Sequence, residues 1–181
     1  MFKRNKVKAV CVLSPLLTLL WATGAQAGAT ASITITATIV NRTCTANWTD
    51  DPTKTDIKLG EIDAATMTAK GIIGGSREFT LTLTDCSNVN KVKVTASGTP
   101  SDEDSTDFKN NGDAAHIGLY IKGGPDESVT LHPDGSGEGD YTVSNGTVAM
   151  NFKAIVERTS SSDAPTAGSI KVPVTLKMNY E

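Results

Sequence analysis

Along Ile170–Tyr180 every second residue is apolar, with Ile170, Val172, Val174, Leu176, Met178 and Tyr180 separated by Lys171, Pro173, Thr175, Lys177 and Asn179. Successive side chains of an extended strand point to opposite faces, so this period gathers the apolar set on one side. A helix would scatter the same residues around its axis. The segment therefore fixes a sheet with one dry face, and it is the most regular strand in the sequence.

Shorter runs repeat the pattern. Residues 31–44 place Ile33, Ile35, Ala37 and Ile39 against Thr34, Thr36 and Thr38. That stretch is either the first strand of its own sheet or a strand lying outside the domain it precedes, and the rest of the chain favours the second. Strands are also predicted over 56–63, 77–86, 91–96, 117–121 and 128–132. Residues 141–143 and 147–156 flank Asn145-Gly146, a hairpin signal because both positions tolerate positive φ. Polar or glycine-bearing stretches at 45–54, 98–113, 133–140 and 160–166 read as loops, and Gly71, Gly74 and Gly75 make 64–76 an irregular crossing. No segment sustains a helical period. Short strands with turn signals between them predict an all-β antiparallel sandwich.

Residues 1–27 have the form of a secretory signal peptide: Lys3, Arg4, Lys6 and Lys8, then an apolar run, then Ala25-Gln26-Ala27 as a small-x-small cleavage pattern. Cys11 leaves with it. The formal net charge of −3 becomes more negative once those basic residues are gone, which disfavours a nucleic-acid partner. Cys44 and Cys86 remain, and an even pair in an exported chain is most simply a disulfide.

The residues that chemistry requires are missing. His116 and His132 have no histidine or cysteine at ligand spacing, and the acidic stretches 101–107 and 134–140 do not fit a calcium loop. There is no GxSxG, and residues 71–76 lack the lysine of a phosphate loop. Asn41, Asn47 and Asn145 open three-residue glycosylation sequons, a weak pattern. No enzyme, cofactor or metal site is expected.

With these residues placed, the chain resembles a subunit of chaperone-usher fimbriae of the type 1 group. The features are the leader, the alternating strand before Cys44, a second cysteine about forty residues on that closes TLTLTDC, and a closing strand with Tyr180 as penultimate residue. Gly168 stands fourteenth counting back from Glu181, the glycine-to-tyrosine spacing of the family's C-terminal pattern. Ala37 departs from the glycine usual in the donor register.

The resemblance implies an incomplete immunoglobulin-like sandwich of six strands, missing the seventh, in residues 42–181, preceded by a donor-strand extension in 28–41. Ile33, Ile35, Ala37 and Ile39 would enter a neighbouring subunit. Gly168, Ile170, Val172, Val174, Leu176, Met178 and Tyr180 would line the chain's own groove and its chaperone-binding edge. A groove deprived of three isoleucines forfeits roughly 5 to 9 kcal/mol of burial, comparable with a domain's stability. The implied partners are a periplasmic chaperone, an outer-membrane usher and neighbouring subunits in a head-to-tail fibre on the cell surface. The rival is a self-contained secreted sandwich that binds a ligand or glycan through its loops.

Overall fold

Strand-forming sequence accounts for the architecture. The computed structural model describes residues 31–39, 44–48 and 56–181. The leader 1–27, Asn41 and most of the loop expected at 45–54 lie outside the described residues. In chain order the strands are β1 (Ala31–Ile39), β2 (Thr45–Trp48), β3 (Asp56–Gly60), β4 (Ile73–Thr84), β5 (Lys91–Ser97), β6 (Phe108–Lys109), β7 (Ile117–Gly123), β8 (Val129–Leu131), β9 (Gly139–Thr142), β10 (Val148–Arg158) and β11 (Ile170–Tyr180). Among the described residues the only helical pieces are 3₁₀ turns at Ala64–Thr66 and Pro125–Glu127.

Two sheets form. The first has the order β3-β1-β11-β5-β9 and the second β2-β4-β10-β7-β6, with β8 also paired to β7. Their inner faces meet in one core: Ile33, Ile35, Val92, Val94 and Leu176 from the first pack with Leu81, Leu83, Leu119, Met150 and Phe152 from the second. Phe79 stacks on Phe152 at 5.3 Å. The Tyr141 ring tilts against Phe152, and its hydroxyl accepts from Gly124 N–H at 2.7 Å and donates to the Asn151 carbonyl at 3.0 Å. Burial pushes that phenol up to about 12.

The layout corrects several sequence expectations. Thr45–Trp48, read as loop, is a strand along the edge of β4; four polar-rich residues are too few to show a period. Phe108, inside the supposed surface loop 98–113, is fully buried in the two-residue β6. β4 starts at Ile73 because Gly74 and Gly75 are strand glycines. Ile62 and Met67 lie across them, leaving no room for a Cβ at Gly74 and little at Gly75. Asn145 (φ 51°) and Gly146 (φ 72°) make the expected tight turn. It joins strands of different sheets, however, since β9 pairs with β5 and β10 with β4 and β7. Only the Ser144–Thr147 bridge closes it.

Candidate functional site

The distinctive feature of the first sheet is the slot that β1 fills. β11 pairs with β5 on one side, from Thr175–Ser97 to Tyr180–Val92. On its other side it pairs with β1, in parallel, from Ala31–Ile170 through Ile35–Val174 to Ile39–Met178. Among the described residues β3 joins this sheet only through β1, pairing antiparallel with it from Ala31–Gly60 to Thr34–Asp56. Without β1 the sheet would therefore open between β3 and β11, exposing two unpaired edges and an apolar floor.

The alternation seen in the sequence is used in that slot. Ile33 and Ile35 are 0% exposed, while Thr34 and Thr36 face out. Thr34 Oγ1 donates to Asp56 Oδ1 at 3.1 Å. Burial of the two isoleucines contributes about 3 to 6 kcal/mol. Ala37 and Ile39 continue the backbone register opposite Leu176 and Met178. In the single chain, the stretch expected to serve a neighbour lies in the chain's own sheet.

Of the predicted groove residues, Ile170, Val172, Val174, Leu176 and Met178 are buried and Tyr180 is partly so. The Tyr180 hydroxyl is withdrawn from solvent and has no hydrogen-bond partner among the described residues, and burial raises its pKa. At the strand's end the Glu181 main-chain oxygen accepts N–H bonds from Asn90 (2.7 Å) and Lys91 (2.9 Å), and Glu181 N–H donates back to Lys91 at 2.9 Å. Lys93 reaches Glu138 and Glu181 at 3.1 and 3.3 Å, and these partners raise its pKa. At the other end Gly168 abuts the Asp113–Ala114 backbone, where a Cβ would collide. Asn110 Oδ1 accepts the Lys171 N–H at 2.7 Å. Glycine at 168 thus permits the loop to clamp the entry to β11.

Cys44 and Cys86 form a disulfide with a Cα separation of 4.2 Å. They lie at adjacent ends of β2 and β4, which pair from Thr45–Thr84 onward. Closing a loop of 42 positions contributes about 4 kcal/mol on the chain-entropy model. Reduction, or the double change Cys44→Ser and Cys86→Ser, is therefore expected to lower the melting temperature by roughly 8 to 16 °C. Circular-dichroism melts check this, and an unchanged transition would contradict it.

The histidines have structural contacts. His116 Nδ1 lies 2.7 Å from Glu103 Oε1, and His132 Nδ1 lies 3.0 Å from the Thr106 carbonyl. No group of three or more His, Cys, Asp or Glu side chains that could hold a metal occurs among the described residues.

Two buried polar groups were missed in the sequence. Arg158 donates through Nε to the Ser160 carbonyl and through Nη1 to the Thr68 carbonyl, both at 2.7 Å, anchoring the crossing before β4. Asp107 is 2% exposed. Desolvation first, then the charges of Glu157 and Asp104, raise its pKa to about 7, with Lys70 opposing. Asp107 thus holds its proton more tightly folded than unfolded. Its contribution makes stability fall as pH rises from about 4 to about 7 and stay level above. A lone aspartate in an acidic loop gives no sequence sign of this.

Comparison with known proteins agrees with this architecture. The profile of the family described as Fimbrial protein matches residues 33–181. The chain is 30% identical over 175 residues to the S-fimbrial adhesin protein SfaS of Escherichia coli O6:K15:H31 (strain 536 / UPEC), covering 97% of this chain and 99% of that one. The P pilus rod subunit PapA superposes with a TM-score of 0.62 at 16% identity, over 77% of this chain and 99% of that chain. A chaperone-usher pilus subunit, from a structure addressing rod uncoiling, gives 0.63 at 18% identity, over 80% and 91%.

Proposed function

The chain belongs to the fimbrial protein family, and from that premise we propose that it is a pilus subunit polymerising by donor-strand exchange and supporting adhesion. Residues 28–41 are the donated segment, residues 42–181 the receiving domain, and residues 1–27 the leader that brings the chain to the periplasm. A periplasmic chaperone occupies the groove beside β11 first. At an outer-membrane usher a neighbour's N-terminal strand then replaces it, and the fibre is displayed on the cell surface. Each contact is head-to-tail and leaves a groove at one end and a strand at the other, so the assembly propagates. Adhesion is carried over from the relative named as an adhesin.

The observation supporting this reading is that, among the described residues, β1 alone connects β3 to β11. A segment next to the chain's start, with a self-sufficient apolar face, fills a gap that another copy's identical segment could fill equally. The same observation favours a second reading, a solitary sandwich closed by its own strand. If donation occurs, the closed chain must first release β1. Purified protein run unboiled on a denaturing gel separates the two: a ladder is expected for strand exchange, and a single monomer band at every concentration supports the closed sandwich.

A further inference from the structure

We infer that Asp107 works a proton-operated latch: residues 98–112 form a strap that stays closed over the entry to β11 while the Asp107 carboxyl holds its proton, and that opens more often once the carboxyl is ionised. The strap leaves β5 after Ser97, crosses to the second sheet and returns to the first. On the way Phe108 and Lys109 pair with Leu119 and Gly118 of β7. The Phe108 ring is fully buried and lies so close to Gly98 that a Cβ there would strike it. At the far end Asn111 N–H donates to the Lys171 carbonyl at 2.7 Å, beside the bond from Lys171 N–H to Asn110. The β5 pairing with β11 runs from Thr175 to Tyr180, and β1 holds the opposite edge of β11. At Lys171 the strap therefore takes the place of β5.

The latch is built around a carboxyl with nowhere to put a charge. Asp107 Oδ2 is buried with no hydrogen-bond partner among the described residues. It packs against Gly118 and the Thr159 methyl, where a Cβ at 118 would collide with both. Asp104 on its own loop, Glu157 on β10 and Tyr120 on β7 face it. The nearby cations are turned elsewhere. Lys70 binds Asp104 at 2.8 Å, Lys109 binds Asp102 at 2.6 Å, and His116 lies 2.7 Å from Glu103. Lys122 and His132 line the hollow beside Asp107, with His132 Nδ1 directed to the Thr106 carbonyl. None of them forms an ion pair with Asp107 among the described residues. A buried carboxylate without a partner costs far more than the neutral acid. Because Asp107 directly precedes Phe108, its carboxyl reaches water when β6 leaves β7. That movement withdraws Phe108 from the core and takes Asn110 and Asn111 off Lys171.

The direction of the response follows from linkage. Closed, Asp107 keeps its proton up to about pH 7; open to water, it ionises near pH 4. Opening is favoured by up to about tenfold for each pH unit between those values and by nothing further above them. Below about pH 4 both states are protonated and the latch does not respond. Burial of Phe108 keeps the closed state in the majority, so the opening is a local excursion of the kind that amide exchange detects. It frees one edge of residues 170–173, the stretch that residues 31–34 of β1 hold from the other side. The latch belongs to residues 42–181 and does not presuppose that β1 is donated.

The test is hydrogen–deuterium exchange by mass spectrometry on the purified chain at pH 5 and pH 8, with each segment's protection taken relative to the unstructured chain at the same pH. Between the two, residues 98–113 and 168–174 are expected to lose at least ~10-fold more protection than residues 148–158. Asp107→Asn cannot ionise and should hold the strap's protection constant. Glu157→Gln keeps the titrating group but removes a like charge, and should shrink the loss. Imidazoles titrate in the same range, so His116→Gln and His132→Gln are the controls and should leave the loss in place. The latch is overturned if the strap keeps its protection at pH 8, or if all three segments lose it equally, which would make Asp107 a titrating group of the whole domain. It is overturned also if either carboxyl variant retains the parent's loss in full, or if either histidine variant abolishes it. The gel ladder enters none of these outcomes, so the polymer reading is tested separately.

Discussion

Ile35→Asp is expected to expel β1 from its own sheet and to abolish fibre assembly. Ile35 is wholly buried opposite Val174, and an aspartate there would place an unpaired charge in the core. Removing one partner from a buried ion pair costs about 3 to 5 kcal/mol because it leaves such a charge; here no partner exists, and the isoleucine's burial is lost as well. The free monomer should melt early or aggregate. If β1 is a donor strand, the mutant still forms its chaperone complex and its disulfide, because the domain that the chaperone holds does not include that strand. Addition of a synthetic peptide spanning residues 29–41 should then restore the mutant's melting transition by filling the vacant slot. Chaperone-complex yield, fibre assembly and peptide rescue are measured on the same protein. Loss of the complex together with failed rescue would assign β1 to a self-contained sandwich.

The parts of the fold legible in the sequence were those where one face is buried along a run of residues. β11 appears from Ile170 to Tyr180 because six alternating apolar side chains leave no other geometry that buries them together. Ile33 and Ile35 were legible for the same reason, as an apolar face. Whose core that face enters is not written in a period of two, since the chain's own slot and a neighbour's slot offer the same floor. β6 could not be read because Phe108 is a single apolar residue, held in place by Leu119 from a distant strand. Gly74, Gly75 and Gly168 were visible as glycines, but two different reasons for glycine look alike in sequence. Here the reason is close approach by Ile62, Met67 and the 113–114 backbone. Asp107 was invisible because its environment is assembled from Glu157, Asp104 and Lys70, none of which is adjacent to it in a recognisable motif.

Moving residues 29–41 to follow Glu181 through a short flexible linker should turn the chain into a permanent monomer. In the single chain β1 runs parallel to β11. A segment that follows β11 through a tight connection must run back antiparallel to it, a pairing slightly more stable per residue. Reversal keeps Ile33, Ile35, Ala37 and Ile39 on one face, because a period of two is the same read in either direction. The appended strand has an effective concentration in the millimolar range, so a neighbour's strand at micromolar concentration loses the competition by a factor of about 1,000. The expected result is a single band on the unboiled gel and a melting temperature at or above that of the parent chain. The two alternatives have different signatures. A ladder that persists after transposition would mean that the segment does not fill the groove. Loss of folding would mean that the parallel pairing, with β3 antiparallel on its other side, is required by the domain itself, and the chain would then be a closed sandwich rather than a donor.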